Sequence, residues 1–157
     1  MRRAVAVILM LLLASFGRAQ QPATAPATTV PGTSAGAVRF QTVDVTLDPK
    51  GQPLAAYQLE FVADEGRVKL VGVEGGDHAA YREPPYYDPA ALSRHRVIVA
   101  AFSTSADLPR TPVRVARLHV QVSGDGPPQW TAKLIVASSN QSPSIPADVR
   151  VSEGAKP

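Results

Sequence analysis

The 157 residues contain no cysteine. That excludes disulfide bridges, thiol catalysis, a Cys-bound zinc centre and a lipidated N-terminal Cys. Without disulfides the fold must be held by its hydrophobic core alone. A domain of roughly 115 residues suffices, because it buries about two-thirds of its unfolded surface. Aromatic residues are scarce as well, 6% with a single Trp, so any place where several gather is informative. Long apolar runs are also missing. The longest, residues 4–14, is eleven residues, against the roughly 20 that a membrane-spanning helix needs. No HxH or HExxH spacing occurs and no Asp-rich calcium loop, and Ser103, Ser105 and Ser138 lack a GxSxG setting.

The first residues read as a targeting segment. Arg2 and Arg3 precede the apolar run, and Gly17-Arg18-Ala19 offers small residues where a signal peptidase reads. This is the pattern of a secretory signal peptide over residues 1–19, with cleavage expected after Ala19. The chain is therefore expected to be secreted, periplasmic or on the cell surface, with no transmembrane segment after cleavage. The whole sequence has 16 Lys and Arg against 13 Asp and Glu, but Arg2, Arg3 and Arg18 leave with the leader. What remains is balanced, so no electrostatic case for nucleic acid survives. Residues 20–37, "QQPATAPATTVPGTSAGA", hold almost nothing that could build a core and read as an extended linker.

From Val38 onward the dominant period is two, the period of a strand with one buried face. Val43, Val45 and Leu47 share one face, as do Ala55, Tyr57, Leu59 and Phe61 in "LAAYQLEFVA". "RVKLVGVE" is a third strand. "RVIVAAFS" is almost wholly apolar, which predicts a central strand covered on both faces. In "RVARLHVQV", Ala116, Leu118, Val120 and Val122 point inward, while Arg117, a solvated His119 and Gln121 point out. "WTAKLIVA" places Trp130, Ala132, Leu134 and Val136 together, and "SIPADVRV" closes with Ile145, Ala147, Val149 and Val151. "DPKGQP" and "GDGPP" supply turns. Short strands, Pro/Gly turns and no long helical period predict an all-β sandwich over residues 38–153. The one helical signal is Asp88-Pro89-Ala90-Ala91-Leu92, a cap followed by Pro at the first position, which predicts a short helix inside a long loop.

The order of these segments resembles the cohesin domain family. "LAAYQLEFVADEGRVKLVGVEGG" is similar to an alternating strand, an acidic turn and a strand ending in V-x-G-V. "RVIVAAFST" resembles the family's central strand, "VRVARLHVQVSGD" the strand that ends in a G-D turn, and "SIPADVRV" the closing strand. The resemblance implies a jelly-roll sandwich of about nine strands, related in fold to some carbohydrate-binding modules. It also implies a non-catalytic role, binding a protein (dockerin-like or an envelope protein) or a polysaccharide.

Residues 74–92, "EGGDHAAYREPPYYDPAAL", concentrate the remaining chemistry: three of the four Tyr, three Pro, a His and four acidic residues. Glu74, Asp77, Glu83 and Asp88 are enough for a carboxylate pair of the glycoside-hydrolase kind, but spacing in sequence fixes no separation, and no catalytic residue is expected. A purely structural envelope protein is the other alternative. Asp77, His78 and His95 could approach one another only if the loop folds back, so no metal site is assigned; calcium held by loop oxygens is the one cofactor left open. "PPYY" matches a WW-domain ligand, a partner that an exported protein does not meet. Tyr81, Tyr86 and Tyr87 remain as stiff amphipathic anchors, with Asp77, His78 and Glu83 as polar neighbours. Either they form a recognition loop or they fold over the end of the sandwich as a lid. Tyr81, nearest the preceding strand, is expected to seal, and Tyr86 and Tyr87 to be accessible.

Overall fold

A computed structural model describes residues 36–154; the expected signal peptide, residues 20–35 of the linker and residues 155–157 lie outside them. Eight strands are present among the described residues: β1 (Val38–Asp48), β2 (Ala56–Ala63), β3 (Val68–Gly75), β4 (Tyr86–Tyr87), β5 (Arg96–Phe102), β6 (Val113–Ser123), β7 (Trp130–Ser138) and β8 (Asp148–Glu153). They form two four-stranded antiparallel sheets, β3-β6-β1-β8 and β4-β5-β2-β7, so the protein is an all-β sandwich. The expected helix is a single 3-10 turn, Pro89–Ala91, in which the Asp88 side chain accepts from the Ala90 N–H and Pro89 takes the first position. The turn at "DPKG" reverses the chain with Lys50 and Gly51 both at positive φ, the conformation that Gly there makes accessible.

The core is the pair of facing inner surfaces that the two-residue period marks out. Val43, Val45 and Leu47 of β1 and Leu118, Val120 and Val122 of β6 meet Tyr57, Leu59 and Phe61 of β2 and Val97 and Val99 of β5, all buried. Burying each such aliphatic or aromatic side chain stabilises the fold by about 1.5–3 kcal/mol.

Three β-bulges alter the regular alternation. In β3, Leu70 pairs with Val120 but Gly72 with His119, so Val71 is the extra residue. In β6, Val45 pairs with Ala116 but Thr46 with Arg114, so Val115 is the extra residue. Val115 and Ala116 are consequently both buried. Arg114 and Arg117, an odd number of positions apart, come to the same outer face, because a bulge shifts the alternation by one. In β7, Gln58 pairs with Val136 but Leu59 with Leu134. Past Ile135 the strand has changed sides: Ala137 is buried and Val136 is exposed, contrary to the single face expected for Trp130, Ala132, Leu134 and Val136.

The other correction concerns β5. It lies between β4 and β2 within its sheet, yet nothing among the described residues covers its outer face, where Ile98 is 39% and Phe102 65% exposed. Continuous apolarity marks covered strands in parallel sheets sheathed by helices. In a two-layer sandwich it leaves half of the apolar side chains in water.

Candidate functional site

The loop from Glu74 to Leu92 leaves β3 at Gly75 and Gly76, where the chain runs against its neighbours. A Cβ on Gly75 would lie 2.0 Å from the Arg82 carbonyl oxygen, and one on Gly76 would lie 2.1 Å from that of Arg114. The Gly76 N–H donates to the Tyr81 carbonyl at 2.6 Å, closing the loop on itself, and the Asp77 N–H donates to the Arg114 carbonyl at 3.0 Å, which holds the loop against β6. His78 then caps a 3-10 turn, Ala79–Tyr81, its Nδ1 accepting from the Ala80 N–H at 3.2 Å.

The three tyrosines separate. Tyr81 is 2% exposed, its ring edge-on to that of Tyr57 and its hydroxyl donating to the Leu54 carbonyl at 2.7 Å. It belongs to the core and leaves the set of candidate contacts, since no partner can reach it. Tyr87 is half-buried and packs against the core, because it pairs with inward-facing Val99. Tyr86, one position earlier, pairs with Ala100 and stands 71% exposed on the outer face. Burial pushes the Tyr57 and Tyr81 hydroxyls far above the usual tyrosine value.

The polar candidates are dispersed. Asp77 accepts from the Arg114 Nε at 3.1 Å, and that guanidinium holds its carboxyl below the ordinary range. His78 Nε2 lies 3.7 Å from the Asp107 carboxylate. Glu83 is exposed and forms no ion pair among the described residues. Glu74 Oε1 sits 2.8 Å from His119 Nε2. That nitrogen is shielded from solvent and makes no aligned hydrogen bond, so the expected solvated His119 is instead half-sheltered beside a carboxylate. Three of the four loop carboxylates are thus engaged: Glu74 with His119, Asp77 with Arg114, and Asp88 as the cap at Ala90. His95 does not join Asp77 and His78, and no three His, Asp or Glu side chains among the described residues converge as metal ligands.

What the structure does assemble is an apolar surface that the loop supplies only in part. Tyr86, Ile98, Phe102, Ile135 and Val136 are exposed on the outer face of the β4-β5-β2-β7 sheet. They surround Ala100 and Gln58, which pair with each other and, on either side, with Tyr86 and Val136. The Tyr86 and Phe102 rings lie nearly parallel, centroids 6.2 Å apart and planes within 9°. Single exposed apolar residues are ordinary, but contiguous ones on a rigid face mark interaction surfaces. Sequence reasoning missed Phe102, Ile98, Ile135 and Val136. The signal was present in "RVIVAAF" and "KLIV": a strand with one core face cannot bury every member of an unbroken apolar run.

Beside this face, a shallow open groove of about 930 Å³ runs between the β2–β3 turn and the segment from β4 to β5. A smaller hollow of about 420 Å³ on the opposite sheet is lined by Phe40, Val71, Glu74, Arg117 and His119. Arg117 there is held by Asp44, its Nε and a terminal nitrogen donating at 2.7 and 2.9 Å. No family model, no curated protein and no solved structure matches this chain.

Proposed function

We propose that this chain is an exported, non-catalytic binding module of cohesin-like fold, and that it docks a protein partner at the cell surface or in the periplasm. The observation that carries the reading is the exposed cluster of Tyr86, Ile98, Phe102, Ile135 and Val136 on one sheet face. Its backbone is fixed by β-ladders on both sides of β2 and, at Val99 and Ala100, on both sides of β5, so a partner meets a preorganised surface and little ordering entropy opposes association. Aromatic anchors within an apolar patch are the composition of binding hot spots. The near-parallel Tyr86 and Phe102 rings favour a second reading, a polysaccharide stacked across them.

The test is affinity capture from the native exported proteome, with Tyr86→Ser and Phe102→Ser variants run beside the native chain. A protein retained by the native chain and lost by both folded variants is the expected result. Equal retention by all three sinks the docking face. Co-sedimentation with insoluble polysaccharide, lost in the same variants, would transfer the face to a glycan. The export expectation is checked by mass spectrometry of the protein from its native source, which should begin at Gln20.

A further inference from the structure

We propose that the groove beside β5 takes up an extended, acidic peptide as an added β-strand. β5 spans Arg96–Phe102, but β4 pairs with it only through Tyr86↔Ala100 and Tyr87↔Val99. Pro89, which has no N–H, and the Asp88 cap then turn the chain into its 3-10 helix. Among the described residues, 96–98 are left without a strand partner on the side away from β2. The direction of their peptide groups follows from the ladder. The Ala63 N–H donates to the His95 carbonyl at 2.9 Å, so His95 is bonded to β2, and alternation turns the peptide groups of Arg96 and Ile98 the other way. Unpaired strand edge is a template for a further strand, with main-chain hydrogen bonds supplying affinity and alternate side chains supplying selectivity.

The groove runs along this same stretch, lined by Arg96, Val97 and Ile98 among others, and its volume of about 930 Å³ accommodates several extended residues. Its charge selects the occupant. Lys69, Arg94 and Arg96 line it, against Glu65 and Asp88. Arg96 is paired with Glu60 and Asp88 is committed to its cap. Lys69 and Arg94 have no carboxylate partner among the described residues, Arg94 donating from Nε to the Ala90 carbonyl at 2.9 Å, which leaves two cations without a countercharge against Glu65. Carboxylates on an incoming strand complement them and suppress basic competitors. The groove shares Tyr86 and Ile98 with the sheet-face cluster, but the proposal goes beyond that reading: Phe102, Ile135 and Val136 do not line the groove, and the probe below acts without any face partner present.

The experiment titrates the isotope-labelled full chain with a capped synthetic peptide of alternating valine and glutamate, read by NMR. The expected result is saturable shifts centred on Arg96 and Ile98, with slowed hydrogen exchange of the Arg96 amide. A valine–lysine peptide should not bind. The valine–glutamate peptide N-methylated at alternate positions should lose binding, because methylation removes the donors that a strand contributes. Lys69→Glu with Arg94→Glu, verified as folded by its own spectrum, should weaken binding about tenfold or more. The proposal is overturned if the methylated peptide binds equally well, if the shifts lie away from β5, or if millimolar peptide leaves the spectrum unchanged.

Discussion

Tyr57 and Tyr81 meet edge to face inside the sandwich, ring centroids 5.3 Å apart, and each hydroxyl donates to a backbone carbonyl, Tyr57 to Val115 at 3.0 Å and Tyr81 to Leu54 at 2.7 Å. Tyr57 comes from β2 and Tyr81 from the long loop, so this pair fastens the loop to the core. The Leu54 and Val115 carbonyls are satisfied by the phenols, which lets both aromatic side chains be buried without an unpaired polar group.

Tyr81 therefore has two separable contributions. Tyr81→Phe should cost about 1–3 kcal/mol, the penalty for leaving a buried carbonyl unsatisfied. Tyr81→Ala should cost about 3–5 kcal/mol, as ring deletions in cores do. Tyr86→Ala, on the exposed outer face, should stay within about 0.5 kcal/mol. Urea denaturation of the three variants checks the order; a Tyr86 variant as unstable as the Tyr81 one would overturn the division between seal and surface.

Adjacent residues of β2 should differ in the same way. Phe61 is buried, while Glu60 faces outward and pairs with Arg96. Phe61→Ala is expected to cost about 3–5 kcal/mol and Glu60→Ala under about 1 kcal/mol, because the Arg96 end of that pair is exposed. Denaturant midpoints measure both.

Gly75 and Gly76 are required by close approach. Neither Gly75→Ala nor Gly76→Ala can place its Cβ without displacing a backbone carbonyl, of Arg82 or of Arg114. Each should destabilise by about 1–3 kcal/mol, the cost of overpacking. Gly51→Ala meets no atom, but its positive φ still strains an alanine; its smaller loss in thermal melts separates the two causes.

The Asp77–Arg114 pair gives a signed pH dependence. The hydrogen bond from Arg114 holds the Asp77 carboxyl below its ordinary value of 3.8. A carboxyl lowered by folding adds stability above its unfolded pKa, and that addition is lost as pH falls through the folded pKa. Asp77 is 63% exposed, so the effect is screened, and Asp77→Asn should cost under about 1 kcal/mol at neutral pH. Native and variant midpoints should converge in acid. A gap that widens as pH falls would reverse the assignment.

The inner faces of the strands were legible in the sequence. Val43, Val45 and Leu47, then Tyr57, Leu59 and Phe61, then Leu118, Val120 and Val122 are all buried where alternation placed them, because a two-residue period is a local property of an extended chain. The Asp88-Pro89 cap was legible for the same reason: its hydrogen bond spans two residues. The candidate site was legible only as a region. The loop held the aromatics, and nearness to β3 separated Tyr81 as the seal from accessible Tyr86, but Tyr87, expected to be accessible as well, packs against the core.

Long-range pairing decided the rest. Opposite Val99, Tyr87 turns inward; opposite Ala100, Tyr86 turns out. The extra residues Val115 and Ile135 exist only relative to their partner strands. They bring Arg114 and Arg117 to one face and expose Val136, an outcome no periodicity within one strand can encode. The exposure of Ile98 and Phe102 depends on how many layers cover β5, and the groove depends on where β4 stops pairing with it. Alternation sets which side chains share a face, whereas only the packed sheets determine whether that face meets the core, a neighbouring strand or water.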